Sequence, residues 1–119
     1  MYKHSNSWPR AFLVAVIAMI IALPVHAQIP EADLPVIITS SGQSPDALMI
    51  KLLGDQLKLD SVFELTLQPE QMEGYRTLII GIGGSVKGLG EAGIDTNDEI
   101  ERTNNIIAEA RKQGMLVVA

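Results

Sequence analysis

The chain has 119 residues, no cysteine, two histidines and a formal net charge of −5 at neutral pH. Disulfides and thiolate metal sites are therefore excluded, and the acidic balance with few aromatic residues argues against nucleic-acid binding. This length favours one domain with a modest hydrophobic core.

The first 27 residues have the pattern of a secretory signal peptide. Lys3 and Arg10 precede an unbroken apolar run from Ala11 to Leu23, and a small residue, Ala27, follows shortly after. We predict cleavage after Ala27 and a secreted or periplasmic product. A membrane anchor is the alternative, but it needs about 20 apolar residues. Contact with a membrane is thus expected only if this segment stays uncleaved.

Loss of this segment changes the chemistry of the chain. Both histidines and the only tryptophan lie within it, and residues 28–119 keep seven basic and fourteen acidic residues. Ser-His-Asp catalysis, Cys-His catalysis and histidine metal sites are excluded from the remainder. We predict no metal site and no cofactor, and we favour a non-enzymatic role.

Residues 28–34 are predicted to be a leader into a single α/β domain over residues 35–119. Pro35–Thr39 is a β-branched run typical of a buried strand. Ser44 and Pro45 predict a helix start, with serine as the N-cap. The predicted inward face of that helix consists of Leu48, Met49, Leu52 and Leu53. Alternating apolar and polar residues over 63–67 predict an edge strand.

The second half of the chain repeats this order. A polar connection with one helical turn is predicted at 69–75, a fully buried strand at 77–82, and a long glycine-rich loop at 81–95. Thr96 and Glu99 match a capping box at the start of a second helix. Its predicted inward residues are Ile100, Ile106, Ile107 and Ala110, and it is expected to end before Gly114. A last buried strand is predicted at 115–118.

These elements predict a small doubly wound α/β fold, flavodoxin-like or Rossmann-like, with a mostly parallel sheet. Because the second strand has an edge pattern, the predicted strand order is 2-1-3-4. The chain stops directly after an apolar strand, where a covering helix would ordinarily follow. We therefore expect a chain truncated at its C-terminus. The alternatives are a compact minimal domain, or self-association that covers the exposed sheet face.

The candidate binding site lies where the first and third strands end, because open α/β sheets bind ligands at such a switch point. One loop supplies Ser41, Gly42, Gln43 and Ser44, and the other supplies Gly83, Gly84, Ser85 and Lys87. Glycine amides, serine hydroxyls and one lysine predict a small polar or anionic ligand. The competing interpretation is a mobile strand-to-helix loop in which glycine serves only positive φ angles.

Three further patterns were tested against the same loops. The glycines at 88, 90 and 93 fit G-x-G-x-x-G but do not open a helix directly after a strand, and Lys87 lacks the Walker A order. Residues 95–106 lack the glycine and glutamate of a calcium loop. A hydrolase or transferase that uses Ser and Lys, or the carboxylates Asp46 and Asp95, remains an alternative, as does a protein-interaction module.

Three stretches carry a resemblance to a known family: PVIITSSGQSPDALMIKLL, TLIIGIGGSVKGLGEAGIDTNDEI and GMLVVA. Together they resemble an uncharacterised family of exported bacterial and archaeal proteins with a domain of unknown function. The resemblance implies a short α/β domain that continues past this C-terminus, starting with a glycine-containing loop. It supplies no catalytic residue.

Overall fold

The computed structural model describes residues 31–84 and 86–119. The predicted signal peptide, the first residues of the predicted leader and Ser85 lie outside the described residues. In chain order the elements are β1 (Val36–Ser41), α1 (Asp46–Gln56), β2 (Ser61–Phe63), a 3₁₀ turn (Pro69–Gln71), β3 (Thr77–Ile82), α2 (Val86–Glu91), α3 (Thr96–Lys112) and β4 (Leu116–Val118).

The four strands form one parallel sheet in the order β2-β1-β3-β4, which confirms the predicted fold class and strand order. All six residues of β1 pair with β3, from Val36 opposite Thr77 to Ser41 opposite Ile82. Because the two strands run in parallel, the loops that follow Ser41 and Ile82 leave the sheet side by side.

Each face of the sheet packs against a helix. Ile37, Leu78 and Ile80 point towards α3, where they form a buried cluster with Leu67, Met72, Ile106, Ala110 and Met115. On the opposite face, Val36 and Ile38 pack against Ala47 of α1, with Ile50, Phe63 and Ile79 partly buried around them. The alternation along β1 thus divides its side chains between two helices.

The predicted inward face of α1 is wrong. Ala47 and Gly54 are buried, whereas Leu48, Met49, Leu52 and Leu53 are 48–58% exposed. The cause is the close approach of α1 to β3, since a Cβ added to Gly81 would lie 2.6 Å from the backbone nitrogen of Ala47. Only small side chains fit between backbones this close, and the helix therefore turns its leucines outward.

Two predicted segments also differ from the structure. The edge strand covers residues 61–63 rather than 63–67, because the chain leaves the sheet early and buries Leu67 in the α3-side core. The glycine-rich loop is shorter than predicted, since residues 86–91 form the short helix α2. The glycines at 88 and 90 are therefore helical, and Gly93 follows with a φ of +70°.

The start of α3 corrects the predicted capping box. Asp95, not Thr96, is the N-cap, and its Oδ1 accepts hydrogen bonds from the amides of Asn97 at 2.7 Å and Asp98 at 3.4 Å. A carboxylate is the stronger acceptor beside the positive end of a helix dipole. Glu99 is consequently free to make the contacts described below.

Candidate functional site

A crevice of about 320 Å³ opens where β1 and β3 end, on the α3 side of the sheet. Its polar part consists of the Ser41 and Thr96 side chains, the Glu99 carboxylate and the peptide groups of three glycines. Its apolar part consists of side chains from β3, α2 and α3. The lining residues are Ser41, Gly42, Ile82, Gly83, Gly84, Val86, Leu89, Thr96, Glu99 and Ile100.

Three glycines allow the two loops to touch at the base of this crevice. A Cβ on Gly84 would lie 1.9 Å from the carbonyl oxygen of Gly42, and one on Gly42 would lie 2.8 Å from the carbonyl oxygen of Gly83. Gly42 also has a φ of +80°, which favours glycine. The amide of Gly83 donates to the Ser41 carbonyl at 3.0 Å. The loops therefore form one continuous backbone surface.

A buried ion pair fixes the β1 loop to α3. Glu99 Oε1 accepts from the Gly42 amide at 2.9 Å and from Arg102 Nη2 at 2.8 Å, while Glu99 Oε2 accepts from Arg102 Nε at 2.9 Å. The same guanidinium donates to the carbonyl oxygens of Ser40 at 2.6 Å and Leu67 at 3.0 Å. The Arg102 and Glu99 side chains are only 9% and 5% exposed. Arg102 thus joins three chain segments.

The environment of Glu99 keeps it ionised. The hydrogen bonds from Arg102 hold the pKa of this carboxyl below its usual range, burial acts in the opposite direction, and the Gly42 amide and the Arg102 charge lower it further. The carboxylate is therefore negatively charged at neutral pH, but the adjacent guanidinium neutralises it. The crevice consequently offers little net charge to a ligand.

A second polar contact supports the same loop. Ser41 Oγ and Thr103 Oγ1 are 2.9 Å apart, within hydrogen-bond distance. Thr103 follows Arg102 on α3, so one turn of this helix holds both Ser41 and Gly42. The end of β1 is thus positioned by side chains of α3.

The structure brings together only part of the predicted site. Ser41, Gly42, Gly83 and Gly84 line the crevice. Gln43 and Ser44 belong to the same loop but are not among the lining residues. The Ser44 hydroxyl accepts from the Asp46 amide at 3.2 Å, but the predicted N-cap is wrong by one residue, since Pro45 holds that position and makes no side-chain cap hydrogen bond.

Lys87 and Ser85 are the other two predicted site residues. The Lys87 side chain is 86% exposed and its Nζ lies 3.8 Å from Glu91 Oε1, one turn later in α2. Ser85 lies outside the described residues. The predicted Ser–Lys arrangement gains no support from these contacts, because Ser41 and Ser44 have the partners given above.

Sequence reasoning missed Glu99, Arg102, Leu89 and Ile100 as site residues. One signal was available: an acid and a base three residues apart lie on one side of a helix. Ile100 was predicted to be buried in the core, yet it is 54% exposed and lines the crevice. Ile100 lines the crevice because α3 lies beside the two loops, and the sequence of α3 alone does not indicate this.

A second groove, of about 390 Å³, lies on the other side of the buried ion pair. Three acidic residues and one arginine are among its lining residues, and we call it the acidic groove. It is lined by Thr66, Gln68, Ile94, Asp98, Glu99, Glu101, Arg102 and Asn105. Within residues 31–84 and 86–119, no group of three or more acidic residues has the arrangement of a metal site. None of the helices described is long and apolar enough to cross a membrane.

Comparison with known proteins identifies a family. Residues 33–119 match the family described as a domain of unknown function, DUF6305, which confirms the resemblance to an uncharacterised family. No curated protein and no solved structure gave a match. The match covers most of the chain and includes every strand and helix described above, and the chain therefore belongs to the DUF6305 family.

Proposed function

We propose that this domain binds a small, uncharged molecule in the crevice between the β1 and β3 loops. The ligand would combine an apolar portion with one or two hydrogen-bonding groups. The observation that carries this proposal is the lining itself, in which three glycines, Ser41 and Thr96 lie beside the apolar side chains of Ile82, Val86, Leu89 and Ile100. Ligand pockets commonly have this composition.

Exposed apolar side chains at the crevice support the apolar portion of the ligand. Ile82, Val86 and Ile100 are 62%, 78% and 54% exposed, and all three line the crevice. Leaving such groups in water has a free-energy cost of roughly 25 cal/mol per Å² of apolar surface. A ligand that covers them would recover part of that free energy.

The charges favour a neutral ligand over the predicted anion. Glu99 is the only charged residue among the described residues of the lining, and the adjacent Arg102 guanidinium neutralises it. Lys87, the one cation in the predicted anion site, extends into solvent beside Glu91. The described lining therefore presents no cationic side chain to an anionic ligand, so the cost of removing an anion from water would not be offset.

The proposal is tested by titrating the ¹⁵N-labelled chain with two compound sets. One contains short aliphatic alcohols and amides, and the other contains phosphate, sulfate and acetate. We expect the neutral set to shift the amide signals of Gly42, Gly83 and Leu89. Shifts confined to the acidic groove, or the absence of any shift, would remove the proposal. A stronger response to the anions would overturn its neutral character.

A matched pair of variants locates the binding. Ile100→Trp should fill the crevice and abolish the shifts, because Ile100 lines it and is exposed. Asn104→Trp adds the same side chain at an exposed position of α3 that lines neither the crevice nor the acidic groove. It should bind as the natural chain does.

We further propose that the domain acts outside the cytoplasm. The support is the basic, apolar and small-residue pattern of residues 1–27. Mass spectrometry of the chain recovered after expression with its leader should give a product that begins at Gln28. A full-length chain retained in the cytoplasm would contradict export.

A further inference from the structure

The outer face of α1 is apolar and has no partner within the described residues. It carries Leu48, Met49, Leu52 and Leu53, which we call the α1 stripe. Successive positions three or four residues apart place these four side chains next to one another on the helix. Ala47, Ile50 and Gly54 on the inner side are also apolar. A helix that is apolar on both sides is normally buried on both sides.

We propose that the α1 stripe is the interface of a homodimer in which two α1 helices pack antiparallel about a two-fold axis near Leu52. Such an interface is isologous, so the same patch serves both subunits. This differs from self-association through an uncovered sheet face, because α1 itself supplies the contact. Both sheet faces already carry a helix.

The area of the α1 stripe matches what a dimer requires. Its four side chains, each about half exposed, present roughly 400 Å² of apolar surface, which is the size of the largest apolar patch on a typical monomer, and such patches often mark a binding surface. A standard interface buries about 800 Å² per partner, of which about 60% is apolar. The stripe thus supplies most of the apolar share, and neighbouring polar residues would supply the rim.

Charge complementarity selects the antiparallel arrangement. Asp46 begins α1 and Lys58 follows its end, so acid and base lie six residues before and after Leu52. A two-fold axis at Leu52 brings the start of α1, which carries Asp46, towards the end of the partner's α1, which Lys58 of the partner subunit follows, and the same holds at the other end. Antiparallel helix dipoles also attract one another. A parallel pairing would place like charges together.

Apolar surface continues beyond the stripe. A cleft of about 200 Å³ lies under the C-terminal half of α1 and is lined almost entirely by apolar side chains, including Leu53, Leu57 and Leu59. Leu57 is 72% exposed at its mouth. The partner's α1 would close this cleft from outside, and this adds to the buried area.

Sedimentation velocity on the full chain tests the proposal. We expect a monomer–dimer equilibrium between about 1 μM and 1 mM, the range in which interfaces of modest size assemble. Leu52→Glu should weaken association by about 100-fold, since the substitution occurs once in each subunit and each loss of a central contact costs tenfold or more. Leu65→Glu, at a residue 40% exposed outside α1, is the matched control and should dimerise normally.

A cysteine cross-link tests the two-fold axis directly, because the chain has no cysteine of its own. Leu52→Cys should give a disulfide-linked dimer under mild oxidation, whereas Asn104→Cys on α3 should not. A chain that stays monomeric at every concentration overturns the proposal. So does a dimer unaffected by Leu52→Glu, or a monomer that instead binds phosphatidylcholine vesicles through α1. The crevice lies on the α3 side of the sheet, so ligand binding and dimerisation can fail independently.

Discussion

The buried pair of Glu99 and Arg102 gives the sharpest prediction about stability. Arg102→Leu removes the four hydrogen bonds that the guanidinium donates to Glu99, Ser40 and Leu67. It leaves a nearly buried carboxylate with one donor, the Gly42 amide. Removing one partner of such a pair typically costs about 3–5 kcal/mol, because the remaining charge is uncompensated. For a domain stable by about 5–15 kcal/mol, this is a large fraction.

Urea unfolding of four chains measures this effect: the natural sequence, Arg102→Leu, Glu99→Leu and the double variant. We expect the double variant to lose less free energy of unfolding than the two single losses combined, with a coupling energy of about 1–3 kcal/mol. Glu109→Gln is the control, because Glu109 and Lys112 form a pair with the same spacing on α3 in which the lysine side chain is 77% exposed and the glutamate 22%. It should change stability little. Additive losses below about 1 kcal/mol would refute the structural role of Arg102.

Three further predictions concern stability. The ionised Glu99 stabilises the fold above about pH 4.3, the pKa of the unfolded glutamate, and this stabilisation should be lost as pH falls through its lowered pKa in the folded chain. Glu99→Gln should therefore reduce the fall in the free energy of unfolding at acid pH, measured by denaturation at a series of pH values. An unchanged fall would contradict a lowered pKa for Glu99. Gly84→Ala should destabilise the fold by about 1–3 kcal/mol, because its Cβ would clash with the Gly42 carbonyl. The control is Gly90→Ala in α2, whose Cβ meets no atom within 4 Å and which should be neutral or stabilising by up to about 1 kcal/mol. Equal shifts of the melting temperature would argue against the contact between the loops. Asp95→Ala should lower the free energy of unfolding in urea by about 1 kcal/mol, and Thr96→Ala should lower it much less, because Asp95 is the N-cap. A larger loss in Thr96→Ala would show that Thr96 caps the helix, as the capping box predicted.

The strand order followed from local patterns because those patterns reflect burial. Thr77–Ile82 is apolar throughout and lies inside the sheet, and a weaker strand lies at its edge. The glycine loops also pointed correctly to the ends of β1 and β3, since parallel strands of a doubly wound sheet bring these ends together. The strand order and the position of the loops thus depend only on the spacing of apolar residues and on the topology of the sheet.

The orientation of α1 did not follow from the sequence. Leucines at helical spacing normally mark the buried side, and here Gly81 and Ala47 bring the backbones so close that the leucines point away. Spacing within one segment cannot report how closely another segment approaches. The role of Glu99 was missed for the same reason, because its partner Gly42 lies on a loop distant in the sequence. Only its other partner, Arg102, lies on the same helix.

The capping box failed through competition between neighbouring acceptors. Thr96 and Glu99 fit the pattern, but Asp95 directly before them offers a charged acceptor, and Glu99 has better partners in Arg102 and Gly42. A local motif describes what its residues can do. Tertiary contacts decide which of the available hydrogen bonds form.

Hydrogen exchange tests ligand binding in the crevice most directly. The chain is incubated with and without a low-molecular-weight fraction of cell extract, and amide exchange is followed along the sequence. We expect slower exchange confined to residues 41–44, 82–84 and 86–89. This protection should be lost in Ile100→Trp and retained in Asn104→Trp. No protection in these segments, or protection confined to residues 66–68 and 98–105 around the acidic groove, would contradict it.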